Sequence, residues 1–360
     1  MREEKAFALL EKLTNIGPRL TGSAQAAAGV ELMQQEMKAL GMDEVHLEPI
    51  IVERWVRGNP EEAKIISSVS GAVPLAVCAI GGSIATPEKG IKAQVIEVKS
   101  FQDLQKSKGK AKGKIVFFNQ PMERAFFDTF RAYGQAAEQR VRGAAEAARA
   151  GGVATLVRSL TLRVDDFPHT GLMHYEPDVR RIPAACISNK GANLLSELLK
   201  KDPNLNVFLK LNCQQLAPVT SHNVAGQIPG SEKPDEIIVL GGHLDSWDLG
   251  SGAHDDGAGC VQAVEALRLL KELGIKPKRT IRAVMFMNEE FGGSGGRDYA
   301  IAGGRKKEIH LAAIESDRGG FLPLGFGVGG RPQTVKRLQK WEYLFKSLGV
   351  FWIREGGGGG

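Results

Sequence analysis

Residues 237–245 have the sequence Ile-Ile-Val-Leu-Gly-Gly-His-Leu-Asp, an apolar run that ends in two glycines and two chemically active side chains. An uninterrupted apolar run of this kind is typical of a strand that is buried on both faces of a parallel sheet. The pattern that follows predicts a helix over 257–273, a strand over 281–287, a short helix over 294–302 and a strand over 311–314. This βαβαβ order predicts an α/β domain with a mostly parallel sheet flanked by helices.

Acidic and imidazole side chains follow each of the three predicted strands. His243 and Asp245 come after the first strand, Glu289 and Glu290 after the second, and Asp317 after the third. Because open α/β sheets bind ligands at the carboxyl edge, we expect these side chains to converge in one crevice. Several carboxylates with one imidazole suit zinc, manganese or cobalt, and a bridging carboxylate allows two ions to bind. The sequence therefore predicts a two-metal hydrolytic site.

The spacing within this set suggests individual roles. Adjacent Glu289 and Glu290 would repel each other, so a metal ion that binds one leaves the other free to move protons. The Asp245 carboxylate is expected to accept the second ring N–H of the nearby histidine and so fix its tautomer. Asp255 and Asp256 lie in the loop before the predicted helix, and Asp256 is suited to cap that helix.

Two other motifs point to different chemistry. Residues 292–296, Gly-Gly-Ser-Gly-Gly, match the Gly-x-Ser-x-Gly pattern of a serine nucleophile. Ser294, however, lies well beyond the end of its predicted strand, and only His310 follows it as a possible base. The glycines within 325–330 have dinucleotide-binding spacing, but Arg331-Pro332 interrupts the point where a helix should begin. A serine hydrolase and a non-catalytic peptide-binding protein remain as alternatives to the metal enzyme.

The sequence before Pro218 has a different pattern of predicted helices and strands. Two helices are predicted at the amino end, the second beginning near Ser23 and ending at Gly41. From about residue 55, short β-rich runs alternate with Gly and Pro, and one of them, 73–80, is predicted to be a single strand. We therefore expect an N-terminal helical part over 1–56, an inserted β-rich α+β module over 57–218 and a catalytic core over 219–360.

Composition excludes several classes of protein. The chain has 47 Lys and Arg against 41 Asp and Glu, and this net charge of +6 is spread along the sequence, so nucleic-acid binding is not indicated. No apolar stretch is long enough to predict a transmembrane helix, and the amino end lacks the apolar core of a signal peptide. The four cysteines share no close spacing, so buried free thiols are expected rather than a metal knuckle or a disulfide framework.

The predicted site and its neighbours resemble the co-catalytic zinc exopeptidase family, which includes bacterial leucyl aminopeptidases and glutamate carboxypeptidase. The resemblance is carried by residues 241–248, 252–257, 288–290 and 315–317, and it extends to 17–23, 55–58 and 168–171. It implies zinc-dependent hydrolysis of short peptides or dipeptides by a metal-bound hydroxide. It also implies a protease-associated insert over 57–218, an extracytoplasmic location and a possible homodimer.

The resemblance further assigns roles to residues of this chain. Asp255 is expected to bridge two Zn²⁺ ions, with His243 and Asp317 completing one site and Glu290 serving the other. Glu289 is expected to be the general base and acid, Asp245 to orient His243, and the Asp255-Asp256 peptide to be cis. The family has a last zinc ligand, a His, beyond the glycine run. That ligand has no counterpart before residue 360, so we expect the C-terminal part of the domain to be missing here.

Overall fold

The computed structural model describes residues 3–107, 109–306 and 308–356, and the chain divides into two compact units. The first unit consists of Met1–Val52 and Val219–Gly360, and the second of Glu53–Pro218. The second unit begins a few residues before the predicted boundary at residue 57, and the division falls inside one strand, Asp43–Val56. None of the described helices is both long and apolar enough to cross a membrane.

Both units contain helices and strands. As far as Lys210 they are α1 (Glu3–Asn15), α2 (Ala24–Ala39), β1 (Asp43–Val56), β2 (Glu62–Ser67), β3 (Gly71–Leu75), β4 (Val77–Ala79), β5 (Ile91–Val98), α3 (Phe101–Lys106), β6 (Ile115–Phe118), α4 (Thr129–Val141), α5 (Gly143–Arg149), β7 (Ala154–Arg158), β8 (Ala184–Ile187), α6 (Asn189–Lys201) and β9 (Asn206–Lys210). The remainder are β10 (Gln214–Ile228), β11 (Lys233–His243), a π-helical turn (Ala253–Gly257), α7 (Ala258–Glu272), β12 (Arg279–Phe286), α8 (Ser294–Lys306), β13 (Ile309–Glu315), β14 (Gly325–Val328), α9 (Pro332–Gln339), α10 (Glu342–Phe345), a 3-10 turn (Lys346–Leu348) and β15 (Trp352–Glu355).

The main sheet of the first unit has the strand order β1-β10-β12-β11-β13. β11 is parallel to both β12 and β13, whereas β10 is antiparallel to β12. The three strands of the predicted βαβαβ pattern are therefore confirmed, in a sheet that is mixed. Because β11 lies between β12 and β13, the carboxyl ends of all three strands are side by side.

Helices cover this sheet on both faces. On one face, α1, α2 and α7 contribute apolar side chains such as Leu13, Met33 and Leu267 to one buried cluster. On the other face, Tyr299 of α8 packs with Val239 and Val284 of the sheet. Each such side chain stabilises the fold by about 1.5–3 kcal/mol when fully buried. The two clusters make the sheet the rigid layer of the unit.

Strands β1 and β10 are long, and the sequence analysis did not predict them. β1 contains Pro49 and alternates between exposed and buried positions only in its second half. A proline cannot donate to a strand ladder and is tolerated at a sheet edge, which is where β1 lies. At the opposite edge, every residue of β13 is exposed.

The second unit is built on an eight-stranded sheet of order β3-β2-β9-β5-β6-β7-β8-β4. Its strands β5 to β8 are mutually parallel, and the outer pairings are antiparallel. The prediction of one strand over 73–80 is wrong, because the chain breaks at Ala76 into β3 and β4, which occupy opposite edges. Since a single residue connects the two edges, the sheet must curl until they are adjacent. The assignment of this unit as a protease-associated module stays a prediction.

Candidate metal centre

His243 is the last residue of β11 and is buried in the centre of the carboxyl edge. Its ring Nδ1 lies 2.9 Å from the main-chain carbonyl oxygen of Asp245. A carbonyl oxygen can only accept, so Nδ1 carries a hydrogen, and Nε2 is the ring nitrogen left to ligate a metal ion. Nε2 is 2.9 Å from Asp255 Oδ1 and 3.3 Å from Asp317 Oδ1. The ring is thus oriented with its ligating nitrogen toward two carboxylates.

Asp255 and Asp256 lie in the π-helical turn before α7, and the peptide bond between them is cis, as the family resemblance implies. Their side chains have different surroundings. The Asp255 side chain is 68% exposed beside His243 Nε2. The Asp256 carboxylate is fully buried and accepts the backbone N–H groups of His243 and Gly259, both at 3.0 Å. The N-cap residue of α7 is Gly257, one residue after the predicted one, but the Asp256 carboxylate still accepts an N–H of the first turn and ties that helix to the end of β11.

The Asp245 carboxylate does not bind the histidine ring in the predicted way. Its Oδ1 is 3.8 Å from His243 Nδ1, beyond hydrogen-bonding distance, and the main-chain carbonyl takes that position instead. The carboxylate accepts the backbone N–H of Glu289 at 3.1 Å and that of Glu290 at 3.3 Å. Asp245 thus holds the turn that carries the two glutamates, and its carbonyl orients the imidazole.

The structure brings three of the predicted ligands together. One ligand atom from each of His243, Asp255 and Asp317 lies within 4.8 Å of the other two. Glu289 Oε2 is next to this group, 3.9 Å from His243 Nε2. Glu290 lies outside the group, but its Oε1 is buried and has no hydrogen-bond partner among the described residues. An orphaned buried carboxylate oxygen is costly unless a cation or donor satisfies it.

The electrostatics of this cluster favour a cation. Burial, reinforced by neighbouring carboxylates, raises the pKa of Glu289 to about 7 and that of Glu290 to about 9. Burial likewise raises the pKa of Asp256 to about 8. Burial alone would lower the pKa of His243, but its hydrogen bonds with Asp255 and Asp317 outweigh this and raise the pKa above the ordinary range. Imidazole nitrogen and carboxylate oxygens with excess negative charge fit a divalent metal ion.

Sequence reasoning missed the contribution of the segment between α1 and α2. Arg19 is fully buried, and its guanidinium donates to the carbonyl oxygens of Leu244, Ser251 and Gly252 at 2.8, 2.7 and 2.9 Å. The Thr21 hydroxyl donates to Asp245 Oδ2 at 2.6 Å. Only the family resemblance had singled out this stretch, because neither residue has metal-binding or nucleophilic chemistry of its own.

The rival motifs find no support in the geometry. The Ser294 hydroxyl accepts a hydrogen bond from the Asn288 side chain at 2.7 Å, and His310 Nε2 is 3.0 Å from the Tyr299 hydroxyl. The Ser–His pair of a hydrolase is therefore not formed between these two residues. Gly325 and Gly327 lie inside strand β14, and not in the strand-to-helix turn that a dinucleotide fingerprint requires.

Comparison with known proteins identifies the family of this chain. Residues 223–332 match the sequence profile of peptidase family M28. Carboxypeptidase Q from Bos taurus is 36% identical over 358 residues, which cover 99% of this chain and 73% of the bovine protein. The chain belongs to peptidase family M28. As an M28 peptidase it is a metallopeptidase, a hydrolase whose substrates are peptides.

Solved structures of other peptidases share the fold. An M28 peptidase precursor from Shewanella amazonensis SB2B has a TM-score of 0.91 and 39% identity, covering 96% of this M28 chain and 77% of its own. A zinc aminopeptidase from Bacillus subtilis has a TM-score of 0.68 at 21% identity, covering 98% of this chain and 79% of its own. The mixed α/β architecture described above is therefore that of M28 peptidases.

Proposed function

We propose that this M28 peptidase is a zinc-dependent exopeptidase that hydrolyses short peptides or dipeptides. The observation that carries the proposal is the convergence of His243 Nε2 with carboxylate oxygens of Asp255 and Asp317, with Glu289 3.9 Å from the same nitrogen. The names of two similar proteins, carboxypeptidase Q and a zinc aminopeptidase, support both the metal and the exopeptidase class.

We assign Asp255 as the carboxylate shared by two zinc ions, His243 and Asp317 as the other ligands of one ion, and Glu290 as a ligand of the second. The exposure of the Asp255 side chain leaves its second oxygen accessible, and the unpartnered Glu290 Oε1 supports its assignment. When bound, zinc polarises the scissile carbonyl and lowers the pKa of water. The Asp245 carbonyl keeps His243 Nε2 directed at the ligand group.

Glu289 is the residue we assign to proton transfer. Its side chain is 25% exposed and adjoins the ligand group without belonging to it, so its carboxylate is free to reach a substrate. It takes the proton of the attacking water at a carboxylate oxygen and returns that proton to the leaving amine. The hydrogen bond from the Glu289 backbone N–H to Asp245 fixes the turn that carries this carboxylate. Both proton transfers can therefore take place with the carboxylate in one position.

The test combines zinc content by elemental analysis with hydrolysis of a dipeptide panel before and after chelation. We expect two zinc ions per chain and hydrolysis that chelation abolishes and zinc restores. Glu289→Gln should lower kcat by at least a thousandfold at unchanged zinc content, since the amide cannot accept the proton. Glu36→Gln is the matched control, because Glu36 has a similar side-chain exposure of 24% and pairs with Lys12 on the neighbouring helix.

The alternative of a non-catalytic peptide-binding protein predicts zinc at one equivalent or less and no turnover. Full activity of Glu289→Gln would contradict the proton-transfer role. Two lesser proposals rest on the family resemblance: an extracytoplasmic location, tested by cell fractionation, and a homodimer, tested by light scattering of the purified protein.

A further inference from the structure

Thr21 lies in the turn before α2, and its side chain is almost completely buried, at 2% exposure. The hydroxyl of this side chain donates a hydrogen bond to Asp245 Oδ2 at 2.6 Å, beside the metal centre. A hydroxyl donating to an ionised carboxylate makes a short, charge-assisted bond that is stronger than a bond between neutral groups.

Asp245 links the Thr21 hydroxyl to the turn that carries Glu289 and Glu290. Its fully buried carboxylate also accepts the backbone N–H of Glu289 on Oδ1 at 3.1 Å and that of Glu290 on Oδ2 at 3.3 Å. Without the Thr21 hydroxyl, Oδ2 would keep only the longer of these two backbone bonds. The carboxylate could then rotate about its side-chain torsion, and the turn would lose a fixed anchor.

The position of Thr21 is itself fixed by the neighbouring backbone. The Arg19 N–H donates to Ser246 Oγ at 3.0 Å, and the Ser246 N–H donates to the Arg19 carbonyl at 3.1 Å. This reciprocal pair holds the segment against the residue that follows Asp245. The hydroxyl therefore approaches the carboxylate from a backbone that cannot easily shift.

We propose that Thr21 is a positioning residue of the metal centre, acting through Asp245 on the backbone of Glu289 and Glu290. This inference rests on the proposed function, because the two glutamates are the groups assigned to proton transfer and zinc binding. The Thr21 hydroxyl contacts Asp245, which lies outside the group of assigned metal ligands. Its effect should therefore appear in kcat and in zinc affinity, and KM should be nearly unchanged.

The experiment compares Thr21→Val, which removes the hydroxyl at nearly constant volume, with Thr21→Ser, which keeps it. The matched control is Thr280→Val, because Thr280 is 1% exposed and donates to the Pro234 carbonyl at 2.7 Å, at the opposite end of β12. Three quantities are measured for each purified chain: the zinc dissociation constant by competition with a fluorescent chelator, kcat and KM on a dipeptide, and the unfolding temperature in chelator.

For Thr21→Val we expect kcat to fall about tenfold or more and the zinc dissociation constant to rise about tenfold, with KM within twofold. Thr21→Ser should restore both values, and Thr280→Val should lower the unfolding temperature without changing either. Equal behaviour of Thr21→Val and Thr280→Val in kcat and zinc affinity would overturn the inference.

Two further outcomes are also decisive. If Thr21→Val does not fold, Thr21→Ala gives the same comparison without placing a methyl group against a carboxylate. Failure of both to fold, with Thr21→Ser folded and active, would overturn the positioning role in favour of a purely structural one. If the unmodified chain binds zinc but hydrolyses no dipeptide, the proposed function fails, and the zinc affinities of the variants still decide the role of Thr21.

Discussion

Replacing Arg19 by Met should destabilise the first unit by about 3 kcal/mol in the absence of metal. The three carbonyl oxygens that the guanidinium satisfies, at 2.7–2.9 Å, would lose that donor, one of them in a buried place and two in partly buried ones. Each orphaned acceptor costs about 1–3 kcal/mol, so about 1.5 kcal/mol apiece gives about 4–5 kcal/mol in total.

Part of this loss is offset. Burial lowers the pKa of Arg19, which means that enclosing the charged guanidinium is itself unfavourable, although the nearby Asp245 carboxylate acts in the opposite direction. Met removes this cost and fills most of the vacated volume with a flexible apolar side chain. We take the stabilisation gained by removing the buried charge as about 1–2 kcal/mol, the low end of the cost of burying a polar group without a partner. The net loss of unfolding free energy is then about 3 kcal/mol.

The assay is calorimetric unfolding in excess chelator at pH 7. A loss of about 3 kcal/mol lowers the midpoint by about 6–12 °C for a unit of this size. Arg279→Met is the control, because the Arg279 side chain is 36% exposed and pairs with Glu236 at the surface, where such a pair contributes about 0–1 kcal/mol. If the two variants unfold within 2 °C of each other, the three carbonyl oxygens do not depend on Arg19 and the reasoning is refuted.

Two further predictions concern backbone packing and the thiols. Gly259→Ala should reduce the zinc content, measured by elemental analysis, below one equivalent. The new Cβ would lie 1.9 Å from the Ser316 carbonyl oxygen and would displace the loop that carries Asp317. Gly296→Ala is the control and should bind zinc normally, because its Cβ would meet nothing within 4 Å. All four cysteines are free and buried, and burial raises the pKa of Cys186 to about 12. A disulfide-exchange reagent at pH 8 should therefore label no thiol in the native protein and four thiols in denaturant. Rapid labelling of the native protein would contradict that burial.

The sequence was most informative where one physical rule governed a whole element. The apolar run before His243 is typical of a buried strand, and parallel strands of one sheet end at one edge, so the convergence with Asp317 was predicted from chain order. The strand order could not be read in the same way. That β11 lies between β12 and β13 depends on long-range pairing, which leaves no local signal in the sequence.

The failures have identifiable causes. A run such as 73–80 has uniform strand propensity, and nothing local shows that Ala76 separates two edges of a sheet. The proximity of Asp245 to His243 in sequence favoured a carboxylate–imidazole bond, but the carbonyl of the same residue is better placed for it. Thr21 could not be found from spacing, because its partner is distant in the chain and its own chemistry is unremarkable.

The bond between Thr21 and Asp245 joins residues 224 positions apart in the chain. Because the ribosome makes the amino end first, the hydroxyl emerges long before its acceptor, and the whole second unit is synthesised between the two. Contacts of such long sequence separation form late in folding, since the entropy of closing the loop must be overcome first. Until that loop closes, Asp245 holds the turn of the two glutamates without the Thr21 hydroxyl, and the hydrolytic geometry is complete only when both segments of the first unit have met.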